Sequence, residues 1–133
     1  MKRLLPISLL VWAGIVGAAD EYIRDESLDS GGAYLVGEIE VAPRFLVERF
    51  GKPGPDDGIR VSGYYTFRAK DGVIFTIHDY KSTTLWADDE GLPTPEEFWR
   101  LTEPVELSIG ARGDDPSKFR KWVLAEYRAW LEK

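Results

Sequence analysis

Hydrophobic and polar residues alternate in two stretches near the middle of the chain, from Arg60 to Arg68 and from Val73 to Lys81. Successive side chains of a β-strand point to opposite faces, so each stretch is typical of a strand with one apolar and one polar face. The Asp71-Gly72 pair between them supplies the positive backbone angles that a tight turn requires. The pattern therefore predicts an antiparallel hairpin. Its polar face would carry Ser62, Tyr64, Thr66, Arg68, Thr76, His78 and Tyr80.

Three segments carry helix signals. Pro43 can open a short helix that Gly51 ends, because the first helical turn does not need the N–H that proline lacks. Thr94 and Glu97 have the spacing of a capping box, which predicts a second short helix. After Pro116, large apolar residues recur at three- and four-residue spacing, the pattern of an amphipathic helix with one buried side. That side would consist of Phe119, Trp122, Val123, Tyr127, Trp130 and Leu131.

Two further alternating stretches, Ala33 to Val41 and Val105 to Ile109, each predict a strand. The C-terminal helix must bury its apolar side against another element, and the predicted strands offer a matching apolar face. We therefore expect an α+β domain built as a two-layer sandwich. In it, an antiparallel or mixed sheet of about four strands is packed by the C-terminal amphipathic helix and two short helices.

The start of the chain has the pattern of an export signal. Lys2 and Arg3 form a basic start, an apolar stretch runs from Leu4 to Val16, and small residues that a signal peptidase accepts occupy positions 17–19. A transmembrane helix needs about 20 apolar residues, so this stretch is short for one. We interpret residues 1–19 as a signal peptide, with an uncleaved anchor as the alternative. Cleavage would leave a periplasmic or secreted protein without membrane contact.

Charge and composition narrow the class of protein. Loss of Lys2 and Arg3 with the signal would lower the basic residues from 17 to 15 against 23 acidic ones, and the net charge from −6 to −8. Such an acidic chain repels phosphate backbones, so nucleic acid is not an expected partner. The chain has no cysteine, which excludes disulfides and thiolate chemistry and fits a bacterial envelope protein.

The acidic residues concentrate just after the export segment. Residues 20–32 contain five acids, two glycines and few large apolar side chains, which predicts a flexible acidic leader. The remaining residues, 33–133, carry all the predicted strands and helices. Their length is that of a single α+β domain.

The segments Val61 to Phe67 and Phe75 to Trp86, with the later Phe98-Trp99, resemble a group of small, mostly uncharacterised proteins from bacteria and their phages. That group shares a helix ending in Phe-Gly, a hairpin strand ending in Asp-Tyr-Lys or Asn-Tyr-Lys, and a His-Ile-Gly-Gly strand. The resemblance extends over roughly residues 37–130 and implies a shared fold without implying a reaction. This chain departs from the group in its export segment and in Ser108, which stands where the group has histidine.

His78 is the only histidine and falls on the polar face of the hairpin. A histidine works as a general base when a carboxylate orients it, but the neighbouring Asp79 would point to the opposite face of a regular strand. One histidine offers no metal-ligand spacing, and the glycines compose no phosphate loop. We therefore expect no metal and no cofactor.

Asp79 interrupts the apolar face of the second hairpin strand. A buried carboxylate must be hydrogen-bonded or paired. We expect Asp79 to accept hydrogen bonds from the backbone or hydroxyls of residues 82–84 and so to hold the loop that follows. Contact with a ligand or a partner is the alternative.

Aromatic residues gather where the hairpin ends. Tyr64, Tyr80 and Trp86 are candidates for an aromatic platform next to Lys81, and such side chains lose little rotamer freedom on contact. Because the C-terminal helix would cover the apolar face of the sheet, we expect the polar face to be open.

The sequence favours a small exported binding or accessory protein without catalytic activity. It would recognise an unidentified protein partner or small ligand through the hairpin face and the loop that follows. The alternative is an envelope hydrolase in which His78 acts as general base, assisted by Asp79 or Glu106. The expected binding residues are Tyr64, His78, Asp79, Tyr80, Lys81 and Trp86.

Overall fold

The four alternating stretches of the sequence form four of the five strands of one antiparallel sheet. A computed structural model of the protein describes residues 21–88 and 91–133, so the predicted export segment lies outside the described residues. The strands are β1 Tyr22–Arg24, β2 Tyr34–Val41, β3 Tyr64–Ala69, β4 Ile74–His78 and β5 Val105–Ala111. The helices are α1 Pro43–Phe50, α2 Pro95–Phe98 and α3 Ser117–Leu131. This confirms the predicted α+β class and the three predicted helices.

The sheet has the strand order β1-β3-β4-β5-β2, and every neighbouring pair is antiparallel. The predicted hairpin is β3 and β4, and Gly72 in its turn has the positive φ of 90° that glycine adopts without strain. Its register places Tyr64 opposite His78, and His78 is also opposite Ser108 on β5. His78 therefore lies in the middle of three strands.

The core lies between the apolar face of the sheet and the helices. Aromatic rings of α3 fit against rings of the hairpin, with Phe119 stacked on Phe75 at 4.7 Å between ring centroids. Helix α1 joins the same layer through Phe45, whose ring lies 5.1 Å from that of Tyr127. Burying each such ring stabilises the fold by roughly 1.5–3 kcal/mol. The aromatic stripe of α3 is thus the helix side of the core, as the sequence predicts, but Leu131, predicted for the same side, is 57% exposed because it is the last residue of the helix.

Both short helices begin at their sequence signals, and α1 also ends at its own, whereas α2 ends at Phe98, before the Glu103-Pro104 pair that the sequence offers as its end. Thr94 and Glu97 form a complete capping box, in which each side chain accepts a hydrogen bond from the backbone of the other residue. Gly51 follows α1 with φ 96° and donates its N–H to the Val47 carbonyl. Within the described residues no helix has the length and apolar character needed to cross a membrane.

Strand β1 is the fifth strand and lies inside residues 20–32, whose composition predicts a flexible acidic leader. Tyr22, the first residue of β1, is only 6% exposed and packs among the rings of Phe75, Phe119 and Trp122. The strand is three residues long and is followed by Asp25 and Glu26. The sequence did not indicate it, because a strand this short leaves no alternating pattern.

The residues between β1 and β2 cross the sheet, because these two strands occupy its opposite edges. Ser30 and Ala33 lie over the polar face beside Thr76 and His78. Arg112 fixes the crossing by donating hydrogen bonds to the carbonyls of Asp29 and Gly31. The prediction of an open polar face is therefore wrong in part: Ser62, Thr66 and Thr76 on that face are buried.

The packing of β1 gives a test of the fold. We expect Tyr22→Ala to lower the free energy of unfolding by about 3 kcal/mol, because it removes a buried ring from the core. Ile23 is 45% exposed, so Ile23→Ala in the same strand is the matched control and should change stability by less than about 0.5 kcal/mol. Urea denaturation measures both variants. Equal effects would mean that Tyr22 does not belong to the core.

Candidate functional site

A hollow of about 380 Å³ lies on the polar face of the sheet, below the crossing segment. The side chains of Tyr64, Thr76 and His78 come from the hairpin strands. The remaining lining residues come from the crossing segment and from the loop that precedes β3, and they are Ser30, Ala33, Pro55, Asp56, Asp57 and Val61. The volume is in the range of sites for small ligands.

Gly110 on β5 shapes this part of the sheet. It is opposite Thr76 in the register, and a Cβ at position 110 would lie 2.5 Å from the Thr76 hydroxyl oxygen and 3.8 Å from His78 Cε1. The absence of a side chain therefore leaves room for the two polar groups at the bottom of the hollow.

The loop of residues 55–61 is a preformed wall. Asp57 Oδ1 accepts the backbone N–H groups of residues 59, 60 and 61 at 2.8–2.9 Å, and Asp56 Oδ1 accepts that of Gly58 at 2.8 Å. These bonds lower the pKa of Asp57, so its carboxylate is ionised and engaged by the loop itself. The wall is held by local hydrogen bonds and needs no ligand to order it.

His78 is neutral at pH 7. Burial lowers the pKa of its imidazole, and the negative charge of Asp57 offsets only part of that effect. Neither Asp79 nor Glu106 forms a hydrogen bond with His78 among the described residues. A neutral imidazole offers one hydrogen-bond donor and one acceptor to whatever enters the hollow.

Asp79 follows His78 and, by strand alternation, enters the core side of the sheet. It is fully buried, and its Oδ1 accepts the backbone N–H groups of Ser62 at 2.8 Å and Gly63 at 3.2 Å. The Ser62 hydroxyl in turn lies 2.5 Å from that of Thr83, which accepts the Leu85 N–H. The fixing role that the sequence suggests is thus present with different donors: Asp79 holds the start of β3, and Ser62 connects that point to the loop.

The second oxygen of Asp79 has no hydrogen-bond partner among the described residues. The same is true of the indole N–H of Trp99, which lies next to Gly63. Burial raises the pKa of Asp79 above its ordinary value, and the hydrogen bonds from Ser62 and Gly63 counter this only in part. The carboxyl group therefore holds a proton more tightly in the folded chain than in the unfolded chain.

Tyr80, Lys81 and Trp86 come together on the surface just after β4. The Lys81 ammonium lies 4.3 Å from the centre of the Trp86 ring and 5.1 Å from that of Tyr80. Arg60, from the wall of the hollow, adds its guanidinium 6.0 Å from the Tyr80 ring. We call these four residues the aromatic–cation group.

The six predicted binding residues fall into three places. Tyr64 and His78 line the hollow, Asp79 is buried below it, and Tyr80, Lys81 and Trp86 belong to the aromatic–cation group. In the described part of the chain the Tyr64 ring makes no ring contact with Tyr80 or Trp86, so the predicted platform of three rings is divided.

Some residues at these sites come from distant segments and are not predictable from the local sequence pattern. Ser30 and Ala33 reach the hollow only because β1 and β2 lie at opposite sheet edges. Arg60 reaches Tyr80 through the ends of the hairpin strands, where the Lys81 N–H donates to the Arg60 carbonyl at 2.7 Å. The Asp56-Asp57-Gly58 turn was the available signal, since such residues close loops with their own side chains.

A second hollow and the acidic side chains of the surface were the other candidates for a site. A hollow of about 520 Å³ at the turn end of the hairpin is rimmed by exposed charges of both signs, including Lys70, Asp71, Asp115 and Lys118. Among the described residues, no cluster of three or more histidine and acidic side chains could hold a metal ion.

Comparison with known proteins does not assign the chain to a family. No protein-family model matches the chain, and no curated protein matches its sequence.

The buried carboxyl group makes stability depend on pH. Because the pKa of Asp79 is higher in the folded chain, its contribution is fully present below pH 3.8 and is lost as the pH rises through the raised value. Asp79→Asn keeps an oxygen acceptor for Ser62 and Gly63 but cannot ionise. We expect it to remove this decline in the free energy of unfolding, measured by urea denaturation from pH 4 to pH 8.

Two comparison variants isolate the effect. Asp79→Ala leaves two buried N–H groups unpaired and should cost about 1–3 kcal/mol for each group at every pH. In the unaltered protein, His78 has a separate effect of opposite sign: its lowered pKa makes the fold less stable as the pH falls below 6.5. His78→Gln removes that effect. An unchanged pH slope in Asp79→Asn would assign the titration to another group.

Proposed function

We propose that this protein is a small non-catalytic binding or accessory protein, and that the hollow on its hairpin face takes a small neutral, polar ligand. The observation that carries the proposal is the neutral, half-buried His78 beside the Thr76 hydroxyl in a hollow of about 380 Å³. Mostly apolar walls with a few convergent polar groups are characteristic of small-molecule sites.

The charges of the wall support a neutral ligand. Asp57 Oδ1 accepts three backbone N–H groups and Asp56 Oδ1 accepts one, and these hydrogen bonds compensate part of the negative charge of the wall. His78 is uncharged at pH 7 and gives an anion no ionic partner. The remaining groups, the hydroxyls of Ser30, Tyr64 and Thr76, donate and accept neutral hydrogen bonds.

We also propose that the protein acts outside the cytoplasm, after removal of residues 1–19. The support is the basic start, the short apolar stretch and the small residues of that segment, together with the lack of cysteine. The loop after the hairpin would provide a second contact surface, which fits an accessory protein that joins a larger partner.

The alternative of a hydrolase requires His78 to act as general base. A base needs a group that orients its imidazole, as in the catalytic triads. Asp79 lies on the other face of the strand with Oδ1 occupied, and the pKa of Glu106 is raised by its hydrogen bond and charge contact with Glu38. These contacts favour the binding role over the catalytic one.

A screen by thermal unfolding tests the proposal. The probes are monosaccharides, amino acids and dipeptides without charged groups, the last two with both termini capped as amides. A ligand at 100 times its Kd stabilises the fold by about 2.7 kcal/mol. We expect at least one probe class to raise Tm by several degrees in the unaltered protein. Ala33→Leu, which fills the hollow, and His78→Ala should both abolish that rise.

Thr102→Ala, in the exposed connection between α2 and β5 and outside the lining of the hollow, is the control and should keep the full rise in Tm. NMR spectra of the same mixtures report any conversion of the probe. Turnover that is lost in His78→Ala would replace the binding proposal by the hydrolase. A ligand whose effect survives Ala33→Leu would place its site outside the hollow.

A further inference from the structure

We infer that the aromatic–cation group of Arg60, Tyr80, Lys81 and Trp86 is a docking surface for a carboxylate-bearing segment of a partner protein. This inference deepens the proposed function, because it names the partner chemistry of the second contact surface. It does not depend on what the hollow binds.

The first observation is exposure. Tyr80 is 50% exposed and Trp86 is 44% exposed, although the chain places most of its other rings in the core. Large aromatic side chains and arginine are the residue types that most often carry the energy of protein–protein contacts. Here Tyr, Trp and Arg occur together within one group.

The second observation is that the two cations form no close ion pair in the described part of the chain; the charge of Arg60 acts on Asp57 only at longer range. Among residues 21–88 and 91–133, neither Arg60 nor Lys81 forms a salt bridge, although the chain is rich in carboxylates. Both are held over aromatic rings instead, at 4.3–6.0 Å from the ring centres. Two positive charges that lack a close ion pair at one exposed site are complementary to carboxylates.

The third observation is the backbone of Lys81. Its φ of 58° lies in the left-handed region, where it is the only residue other than glycine in the described part of the chain. The hydrogen bond from the Lys81 N–H to the Arg60 carbonyl holds this conformation. Such conformations concentrate at functional sites, and here the conformation directs the ammonium to both rings.

The arrangement favours a peptide segment over an acidic sugar. A sugar ring stacks on the face of an aromatic ring, but here Lys81 lies over both rings and Arg60 lies over Tyr80. What remains for a partner is a pair of hydrogen-bond donors with apolar ring surface beside them. Glutamate or aspartate side chains that alternate with apolar ones match that surface.

The test uses the purified protein and a fluorescently labelled peptide of alternating Glu and Phe residues. The matched neutral peptide has Gln in place of Glu. We expect fluorescence anisotropy to detect binding of the Glu peptide only, with an affinity that falls as salt is added. Lys81→Asn, Arg60→Gln and Trp86→Ala should each weaken binding about tenfold or more.

Lys81→Asn removes the charge and introduces asparagine, a residue type that tolerates the left-handed conformation. An unchanged Tm would show that the variant folds. Lys70→Gln, at the exposed hairpin turn, is the matched charge control. An equal loss in Lys70→Gln, or equal binding of the neutral peptide, would overturn the inference. Polygalacturonate provides a competition test. If it displaces the peptide from the unaltered protein and its own binding is lost in Trp86→Ala, the inference is overturned in favour of an acidic sugar.

The same titration separates this inference from the proposed function of the hollow. Ala33→Leu and His78→Ala should leave peptide binding unchanged, because neither residue belongs to the aromatic–cation group. Failure of the peptide to bind would therefore leave the hollow proposal intact. Failure of the small-molecule screen would likewise leave the docking surface intact.

Discussion

The two candidate sites depend on the pair of hydrogen bonds that Asp79 accepts from Ser62 and Gly63. They join the end of β4 to the start of β3 beyond the last residue pair of the hairpin, where the ladder alone would fray. On one side of this junction is the loop of residues 55–61, which walls the hollow. On the other side is the loop that carries Tyr80 and Trp86. A single buried carboxyl group thus sets the relative positions of both surfaces.

The same junction explains why a polar residue occurs on the apolar face of the strand. Backbone N–H groups at the start of β3 are buried, and a buried donor without an acceptor is costly. Asp79 supplies the acceptor, and the price is a desolvated carboxyl group with a raised pKa. Strand alternation then places His78 on the opposite face, in the hollow. Asp79 thus stabilises the start of β3 on one side of the sheet, and the next residue back, His78, places its imidazole in the hollow on the other side.

Much of the fold was predictable because its signals are local. The hairpin follows from alternation and from Asp71-Gly72, and the α3 stripe follows from helical spacing. Strand β1 was not predictable, since its three residues become a strand only through pairing with β3. The sequence predicts that Asp79 accepts hydrogen bonds that fix the neighbouring backbone, and it does. Its donors, however, are 16 and 17 residues earlier in the chain, where no local pattern could indicate them.

The long-range contacts also decide which part of the molecule a partner meets. After loss of residues 1–19 the chain would carry a net charge of −8, which by itself disfavours acidic partners. At physiological ionic strength, however, charges interact over only about 8 Å, so a contact is governed by the charges that face it. Arg60 and Lys81 share the ring of Tyr80, and ring contacts hold both cations in place. An acidic protein can therefore present one positive surface, provided that the nearby carboxylates are held in hydrogen bonds of their own. Asp57, in the same loop as Arg60, shows this, because its Oδ1 accepts three backbone N–H groups.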